Sequence, residues 1–306
     1  MAGWVTGAAS MALKFLVTGS TGQVGQALVE HLAEHGEVVA LNRQQLDLTD
    51  PSAIAKTVRA IAPNIVFNPA AWTAVDAAES DPGGANAVNA EAPRLLAEAA
   101  RDTGALFVHW STDFVFNGVA PVSETDAHRS GQPRGWLETD RPDPISVYGT
   151  SKLEGEQGVL TSGARALVLR TAWVWSRGGK CFPEAILKRA RSGGALRVVS
   201  DQQGTPTHAP SLAQAAIDAA LILWHEPGRE GLYHLTNSGH TTWYEFALAA
   251  CEAAGLEPSI QPITTADWPT PAKRPAWSVL DCSRFEEAFG LRLPDWRDEV
   301  LEAYQA

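Results

Sequence analysis

Short apolar runs alternate with amphipathic segments along the first half of the chain. The runs are rich in β-branched residues, which is typical of buried strands, and the segments between them have the spacing of amphipathic helices. We predict strands at residues 14–18, 37–41, 64–68 and 105–110, and helices at residues 22–35, 51–61 and 86–102. Strands that alternate with helices indicate parallel βαβ units in a doubly wound sheet.

Residues at the ends of these segments support the predicted helices. Asp50 is suited to cap the helix that begins at Pro51, because its carboxylate can accept from free N–H groups and proline is tolerated at the first helical position. Gly36 and Gly104 follow the other two helices, and we expect each of them to end its helix.

A glycine-rich loop lies directly between the first strand and the first helix. In that position GxxGxxG permits a tight turn, a close approach of the backbone to a pyrophosphate, and close packing of helix on strand. The helix N-terminus then faces the phosphates. We predict that the loop binds a dinucleotide through Gly19, Thr21, Gly22, Gln23, Val24 and Gly25.

The residues after the second strand bear on which dinucleotide is preferred. Strict NAD enzymes carry an acidic residue there for the ribose 2′-hydroxyl, whereas this chain has Asn42 followed by Arg43. Arg43 can pair with a 2′-phosphate, or it can be an ordinary solvated arginine, so NADPH and NADH both stay open. Asp47 and Leu48 lie where the adenine is commonly bound.

The pattern changes in the second half of the chain. Residues 117–143 are polar and rich in Pro and Gly, which predicts a long loop, and a helix from about Ser146 and a strand at residues 166–170 follow. We predict an α/β fold, a Rossmann-like doubly wound parallel sheet with a smaller mixed α/β substrate lobe. Its expected parts are an N-terminal extension (1–12), a mainly dinucleotide-binding domain (13–175) and a mainly substrate-binding lobe (176–306) interleaved with the end of the sheet.

Composition narrows the classes of function. The 306 residues carry a formal net charge of −11, which disfavours general nucleic-acid binding because phosphate backbones attract basic surfaces. Cys181, Cys251 and Cys282 are far apart, which fits a reducing compartment better than a disulfide framework and gives no zinc spacing. Neither a membrane span nor a signal peptide is evident. We expect a cytoplasmic monomer or homodimer with no metal.

Tyr148 and Lys152 form a Tyr-x-x-x-Lys pair at the start of a predicted helix, where positions i and i+4 share one face. A nearby ammonium group would stabilise the phenolate and make Tyr148 a proton donor to a carbonyl. Such pairs also occur by chance. Thr112 changes the balance, because it ends the fourth strand, where ligands bind in open parallel sheets, and its hydroxyl can orient that carbonyl.

The order of these features resembles that of the extended short-chain dehydrogenase/reductases. Within them the chain is most similar, from residue 14 onward, to the dTDP-4-dehydrorhamnose reductases. The segments that carry the resemblance are residues 18–25 (TGSTGQVG), 68–79 (NPAAWTAVDAAE), 111–118 (STDFVFNG), 148–156 (YGTSKLEGE), 170–175 (RTAWVW), 201–207 (DQQGTPT), 231–235 (GLYHL), 242–246 (TWYEF) and 274–275 (RP).

The resemblance implies a reaction and roles for single residues. Hydride would pass from NADPH or NADH to C4 of dTDP-4-dehydro-L-rhamnose while Tyr148 protonates the oxygen. Lys152 would hold the nicotinamide ribose, Thr112 would orient the carbonyl, and Ala70 and Ala71 would border the cofactor. The positions that match the sugar pocket are Thr73, Val75, Asp113, Phe114 and Trp173. For Trp173, a place in the core is an equal alternative.

The chain departs from the family pattern in ways that leave the exact sugar open. Pro69 and Trp72 replace the usual Ala and His, Phe114 replaces Tyr, and Cys181 replaces Asn. The loop over residues 119–135 is longer than usual and contains an additional Ser-Glu-Thr-Asp at 123–126. Some members bind Mg²⁺ through a Glu soon after the third glycine. This chain has Gln and Ala there, at 26–27, so no such metal is predicted.

Other functions stay open at this point. A dehydratase would need an acidic residue where Phe114 follows Asp113, and the glycine loop and later motifs fit an epimerase poorly. The alternatives are a sister nucleotide-sugar 4-ketoreductase and a non-catalytic NADP-binding subunit similar to the regulatory subunit of methionine adenosyltransferase. Isolated histidines, among them His31, His109 and His240, lack a partner pattern, and we interpret them as surface or packed residues.

Overall fold

The computed structural model describes residues 12–122 and 131–305. Residues 1–11 of the predicted extension and the additional segment at 123–126 therefore lie outside the described residues. The strands are β1 (Leu13–Val17), β2 (Gly36–Ala40), β3 (Ile65–Asn68), β4 (Leu106–Thr112), β5 (Ala166–Thr171), β6 (Val174–Trp175), β7 (Leu196–Val199), β8 (Gln203–Gly204), β9 (Thr207–His208), β10 (Gly231–His234), β11 (Thr241–Thr242) and β12 (Ile260–Ile263).

The α-helices separate most of these strands in the chain. They are α1 (Gln23–Leu32), α2 (Pro51–Ile61), α3 (Val75–Ser80), α4 (Pro82–Asn86), α5 (Ala92–Thr103), α6 (Val147–Thr161), α7 (Phe182–Arg191), α8 (Ala209–His225), α9 (Trp243–Ala253), α10 (Ser283–Phe289) and α11 (Trp296–Gln305). A π-helix spans Ala87–Glu91, and short 3₁₀ helices span Asp113–Val115 and Thr265–Asp267.

Six parallel strands form the central sheet in the order β10-β5-β4-β3-β1-β2. This confirms the predicted doubly wound fold. The strand order reverses between β1 and β3. Strand β2 lies on one side of β1, and the chain then crosses back and places β3 on the other side. Ligands of such sheets bind outside the carboxyl ends of the strands at this reversal. The glycine loop follows β1 at that edge.

Helices cover both faces of the sheet with separate apolar cores. On one face α1, α8 and α10 contribute buried side chains, such as Leu28, Ile217 and Phe285. On the other face α2 and α5 do so, with Ile54 and Leu96 fully buried. Each such side chain stabilises the fold by roughly 1.5–3 kcal/mol. The edge of the sheet where ligands bind is thus held on two sides by packed layers.

The end residues of two helices are as predicted. The Asp50 carboxylate caps α2 by accepting from the N–H groups of Ser52 and Ala53 at 2.9 and 3.3 Å, and Pro51 is the first helical residue. Gly104 ends α5 in a left-handed conformation with φ 75°. In both cases the local chemistry alone determines the boundary.

The prediction for Gly36 was wrong. The helix ends earlier, at Leu32 with Ala33 as its C-cap, and Gly36 is the first residue of β2. A Cβ at this position would lie 2.1 Å from the carbonyl oxygen of Leu13 on the neighbouring strand. Glycine is needed at position 36 because β1 and β2 approach closely there. It has no part in ending the helix.

The single helix predicted over residues 86–102 was also wrong in detail. The structure has α4, the π-helix and α5 in succession, and α4 begins after Asp81, whose carboxylate accepts from the N–H of Gly84. A π turn accommodates one more residue per turn than an α turn, and such turns are frequent at functional sites. Asn89 lies in this π-helix and is buried.

The second half of the chain builds a smaller lobe and also returns to the sheet. Helices α7, α9 and α11 enclose a separate core around Trp175 and Phe246. Three small sheets pair β6 with β9, β7 with β12, and β8 with β11. Strand β10 and helix α8 belong to the central sheet and its cover. Within the described residues of the predicted loop at 117–143, Val122 forms a bridge with Pro133 and Trp136 forms one with Leu280.

Candidate active site

The glycine loop packs against the residues that follow β3. Gly19 is in a left-handed conformation (φ 56°), and a Cβ there would lie 2.8 Å from Cα of Ala70. A Cβ on Gly25 would lie 2.2 Å from the carbonyl oxygen of Gly19. Gly22 precedes α1 without a side-chain cap. The loop is therefore closed to side chains at two positions and presents a helix N-terminus, an arrangement that fits a pyrophosphate.

The other predicted residues of this loop have different surroundings. Thr21 is exposed, and Val24 packs against the core. The amide of Gln23 accepts from the hydroxyl of Ser176 at 3.0 Å and donates to the carbonyl of Val174 at 3.4 Å. Gln23 thus ties the start of α1 to β6, so the glycine loop is fixed to the chain that leads into the lobe.

The segment after β2 forms a turn at the same edge. The Asn42 side chain accepts from backbone N–H groups two and three residues further on, while Arg43 is exposed. The Asp47 carboxylate accepts from the N–H and hydroxyl of Thr49, and these bonds hold the pKa of Asp47 below its usual value. Leu48 packs on the core beneath. Among the residues predicted to bind the dinucleotide in this turn, Arg43 is a cation whose side chain is exposed.

Tyr148 lies in the first turn of α6, beside the end of β4. Its ring is buried and meets Phe114 edge-on, with centroids 5.5 Å apart. Burial raises the pKa of Tyr148 to about 12. A hydrogen bond with Thr112 lowers this pKa, and the charge of Asp113 raises it. The phenol is therefore protonated at neutral pH.

Lys152 follows one turn later and is almost fully buried. Its ammonium group donates to the carbonyl oxygen of Trp110 at 2.6 Å. Burial lowers the pKa of Lys152 to about 8, against an opposing effect of the Glu156 carboxylate. The sequence led us to expect contact between the phenol and the ammonium group. In this structure the groups that shift the pKa of Tyr148 are Thr112 and Asp113, and Lys152 rests on β4.

Thr112 and Asp113 form a hydrogen-bonded pair at the end of β4. The hydroxyl of Thr112 donates to Oδ1 of Asp113 at 2.9 Å and accepts from the N–H of Phe114 at 3.2 Å. Burial raises the pKa of Asp113 to about 6, although bonds with Ser278 and Thr112 lower it. The pair brings an uncommonly basic carboxylate next to the predicted reaction centre.

The remaining residues of the predicted sugar pocket come from two regions. Val75 begins α3 and packs with Phe114 and Tyr148, whereas Thr73 is exposed in the loop before it. Trp173 lies after β5 with φ 45°, in the left-handed region, and stacks on Trp243 with ring centroids 3.6 Å apart.

Trp173 is packed against the lobe on the side of β8. A Cβ on Gly204 would lie 2.4 Å from its ring, so only glycine fits there. The tryptophan thus contacts the lobe on both sides, and a left-handed backbone conformation in a residue other than glycine is frequent at ligand sites.

Asn89 is a residue of this site that the sequence analysis missed. From the π-helix, its side-chain oxygen accepts from the N–H of Trp72 at 2.8 Å, and its amide donates to the Trp72 carbonyl and the Ser151 hydroxyl at 3.0 and 3.1 Å. It therefore joins the loop after β3 to α6, between Tyr148 and Lys152. The one sequence signal was Gly155, where a Cβ would lie 2.0 Å from the Asn89 carbonyl.

Residues 12–122 and 131–305 contain neither a metal-binding cluster nor a membrane-spanning helix. None of the His, Cys, Asp and Glu side chains in these ranges forms a group of three that could hold a metal ion. No helix described there is both long and apolar enough to cross a membrane.

Comparisons with known proteins agree with one another. The family model described as the RmlD substrate binding domain matches residues 13–306. The chain is 42% identical to a dTDP-4-dehydrorhamnose reductase of Burkholderia thailandensis over 94% of this chain and 97% of the relative. It is 41% identical to a probable dTDP-4,6-dihydroxy-2-methyloxan-3-one 4-ketoreductase of Streptomyces antibioticus over 95% of each.

Solved structures extend this likeness to three dimensions. The dTDP-4-dehydrorhamnose reductase of Bacillus anthracis, crystallised in complex with NADP, superposes with a TM-score of 0.86 at 31% identity and covers 96% of this chain and 99% of its own. An orthologue from Clostridium acetobutylicum gives a TM-score of 0.85 at 34% identity, with 95% and 98% covered. The chain therefore belongs to the family of the dTDP-4-dehydrorhamnose reductases.

Proposed function

We propose that this chain is an NAD(P)H-dependent ketoreductase that converts dTDP-4-dehydro-L-rhamnose to dTDP-L-rhamnose. The observation that carries the proposal is the convergence of Thr112, Tyr148 and Lys152 at the carboxyl edge of the sheet, in a chain 42% identical to a reductase of that name. The glycine loop, with no room for side chains at Gly19 and Gly25, supplies a place for the cofactor at the same edge.

Tyr148 acts as the proton donor in this reaction. A pKa of about 12 keeps the phenol protonated at neutral pH, so it can protonate the sugar oxygen once C4 has been reduced. The phenolate that remains needs a positive charge close by. Lys152 lies on the same face of α6, and its pKa of about 8 leaves the ammonium form predominant at neutral pH. The bound dinucleotide supplies the hydride, and Thr112 orients the carbonyl.

The other predicted site residues keep their roles in the proposal. The dinucleotide is bound by the glycine loop, by the turn after β2 and by Ala70 and Ala71, which follow β3. The sugar is bordered by Thr73, Val75, Asp113, Phe114 and Trp173. The guanidinium of Arg43 is exposed and can pair with a 2′-phosphate, which favours NADPH. The turn itself is held by the Asn42 side chain, so this pairing would not cost the turn a hydrogen bond.

A sister 4-ketoreductase is the second candidate function. The observation that favours it is the 41% identity to the probable 4-ketoreductase of Streptomyces antibioticus, which nearly equals the value for the rhamnose enzymes. Trp72 and Phe114, which depart from the family pattern, line the same apolar cluster as Tyr148. A non-catalytic NADP-binding subunit would not need this cluster or the buried Lys152.

We also infer a cytoplasmic enzyme that is a monomer or a homodimer. All three cysteines are free thiols, which suits a reducing compartment. Sedimentation velocity of the purified protein measures the oligomeric state directly.

Removal of the Tyr148 hydroxyl tests the assignment. We expect Tyr148→Phe to lose about 10²–10⁴-fold in turnover, because the proton donor is gone, while NADPH binding is retained. Turnover is followed by loss of NADPH absorbance with dTDP-4-keto-6-deoxyglucose, in the presence and absence of the 3,5-epimerase. Reduction that requires the epimerase supports the rhamnose reaction, and reduction without it supports the sister ketoreductase.

The matched control is Tyr233→Phe. Its hydroxyl donates to the Arg229 carbonyl at the far end of the sheet, so its loss leaves turnover unchanged. If Tyr148→Phe retains wild-type turnover, the role given to Tyr148 is wrong.

A further inference from the structure

A short stretch of chain, residues 272–278, is bonded to three separate parts of the molecule around the predicted sugar pocket. It runs between β12 and α10, and we refer to it as the strap. The N–H of Trp277 donates to the Gly118 carbonyl at 3.0 Å, which ties the strap to the loop after β4. The Ala276 carbonyl accepts from the N–H of Gln203 at 2.8 Å, which ties the strap to β8 of the smaller lobe.

The strap packs closely against both of these neighbours. A Cβ on Gly118 would lie 2.5 Å from Cα of Pro275. A Cβ on Gly204 would lie 2.7 Å from the hydroxyl oxygen of Ser278 and 2.4 Å from the ring of Trp173. The strap therefore leaves no space for a side chain at either glycine, and one end of it lies next to a tryptophan that is predicted to border the sugar.

The third tie is an ion pair between Arg274 of the strap and Asp76 in the first turn of α3. The guanidinium donates from Nη1 to Oδ1 at 2.6 Å and from Nη2 to Oδ2 at 2.8 Å, so a planar fork binds both carboxylate oxygens. Oδ1 also accepts from the N–H of Ala272 at 3.1 Å. The hydrogen bond with Arg274 holds the pKa of Asp76 below its usual value, so the pair is ionised at neutral pH.

Helix α3 is held at two points along its length. Asp76 follows directly after Val75, which packs with Tyr148 and is predicted to border the sugar. Near the other end of α3, the Glu79 carboxylate accepts from the N–H of Val147, the first residue of α6, at 2.9 Å. Glu79 thus ties α3 to the catalytic helix, while Asp76 ties the end that carries the sugar-pocket residues to the strap.

We propose that Arg274 is a positioning residue for the sugar, an inference that rests on the function given above. By binding Asp76, it sets the distance between α3 and the strap, and with it the width of the pocket beside Val75. Without the pair, the first turn of α3 is free to move, while Glu79 still holds the other end at α6. The sugar then binds less tightly, whereas proton donation by Tyr148 is preserved once the sugar is bound.

Steady-state kinetics of Arg274→Met separate sugar binding from chemistry. We expect the KM for the dTDP-linked keto sugar to rise about 10-fold or more while kcat falls by less than about 3-fold, the pattern of an interaction that is equally strong in the ground and transition states. The KM for NADPH stays within about 2-fold of the wild type. Arg274→Lys keeps the charge without the fork and restores only part of the loss.

The partner variant Asp76→Asn breaks the same pair from the other side, so we expect an equal rise in KM. Because each side chain acts through the other, the double variant should have the KM of a single variant. A double variant in which the two single effects multiply would overturn the proposal. If Arg274→Met does not fold, Arg274→Lys and Asp76→Asn decide the question.

Binding of dTDP and of dTDP-L-rhamnose, measured by calorimetry with NADPH bound, distinguishes positioning of the sugar pocket from direct contact with the phosphates. Both ligands carry the same diphosphate, and only the second carries a sugar. We expect Arg274→Met to weaken binding of dTDP-L-rhamnose about 10-fold and binding of dTDP by less than about 2-fold. Equal weakening of both ligands would make Arg274 a ligand of the phosphates and overturn the proposal.

The matched control is Arg165→Met. Arg165 is similarly exposed, pairs with Glu230 of a distant segment at 3.0 Å, and donates to the backbone carbonyl of Leu223. It precedes β5 and so lies at the opposite edge of the sheet from the reaction centre. We expect the KM for the sugar to stay within about 2-fold of the wild type. A rise equal to that of Arg274→Met would overturn the proposal, because general loss of stability would then explain both.

The wild type separates failure of this inference from failure of the proposed function. A wild type that neither reduces a dTDP-linked keto sugar nor binds dTDP-L-rhamnose would refute the function and the positioning role together. A wild type that does both, beside folded Arg274→Met and Asp76→Asn proteins with unchanged KM for the sugar, would refute the positioning role alone.

Discussion

Two buried histidines in the central sheet lie beside cations of different kinds at the same distance. Nε2 of His109 is 3.4 Å from Lys152, and Nε2 of His234 is 3.4 Å from Arg170. At His234, Nδ1 faces the Trp136 carbonyl at 3.0 Å, so Nδ1 carries the proton and Nε2 accepts from the arginine. At His109, Nδ1 faces the side-chain nitrogen of Asn68 at 3.1 Å.

The two cations differ in how firmly each keeps its charge. Arg170 forms two bonds with the Glu156 carboxylate, at 2.8 and 2.7 Å, and an arginine stays charged in proteins. Lys152 rests on a backbone carbonyl, and its pKa is lowered to about 8. The sheet therefore contains one cation whose charge is fixed and one whose charge is adjustable. The adjustable one adjoins Tyr148.

The largest expected effects come from removing each cation in turn. Arg170→Met leaves Glu156 buried without its partner, so we expect the free energy of unfolding to fall by about 3–5 kcal/mol. Lys152→Met removes a charge that has no carboxylate bonded to it, so stability changes little while turnover falls by about 10²-fold or more. Urea unfolding and NADPH oxidation measure the two quantities. A Lys152→Met protein as unstable as Arg170→Met would contradict the distinction.

Glu156→Gln sharpens the comparison, because Glu156 acts on both cations. The amide keeps the shape but loses the charge next to Arg170, and we expect a loss of about 3 kcal/mol in unfolding free energy. It also removes the effect that raises the pKa of Lys152. The fall of kcat/KM on the alkaline side should then move to lower pH, because Lys152 loses its charge at lower pH than in the wild type. A shift to higher pH would show that Glu156 does not act on Lys152 through its charge.

Asp113 extends the comparison to a buried carboxylate whose described hydrogen bonds include no cation. Its pKa is about 6 in the folded protein, so folding takes up a proton between about pH 4 and pH 6, and stability is lost as pH rises through that window. The Asp113→Asn protein does not lose stability over this window, because an amide does not take up a proton there. We expect its unfolding free energy, relative to the wild type, to rise by about 2 kcal/mol from about pH 4 to about pH 7. Thermal or urea unfolding at both pH values checks this, and a constant difference would contradict it.

Local chemistry made part of this structure predictable from the sequence. The cap at Asp50, the start of α2 at Pro51 and the left-handed Gly104 each depend on neighbours in the chain, and each prediction was confirmed. The parallel sheet was predictable because a repeated alternation of strand and helix patterns has few other solutions. The places of Thr112 at a strand end and of Tyr148 and Lys152 on one helix could also be predicted from their spacing, while their roles stay predictions.

Contacts between distant segments could not be predicted in the same way. Gly36 looked like a helix end because the carbonyl of Leu13, which excludes a Cβ, belongs to another strand. His109 was interpreted as an isolated surface or packed residue. It is buried, but its partners Asn68 and Lys152 lie 41 and 43 positions away and meet it only when β3, β4 and α6 pack together. Similarly, the π turn at Asn89 has no periodicity that distinguishes it from an ordinary helix.

Strand β10 has a consequence for how the protein is made. It completes the sheet beside β5, yet about 60 residues, which comprise the first part of the smaller lobe and helix α8, are synthesised between the two strands. Until residue 234 has left the ribosome, β5 is an edge strand with unpaired N–H and carbonyl groups, and α1 lacks its neighbour α8. A fragment that ends at residue 175 would carry the whole cofactor loop and still expose that edge to aggregation. The nascent enzyme thus completes its central sheet only after the first part of the smaller lobe, β6 to β9 with α7, has been synthesised.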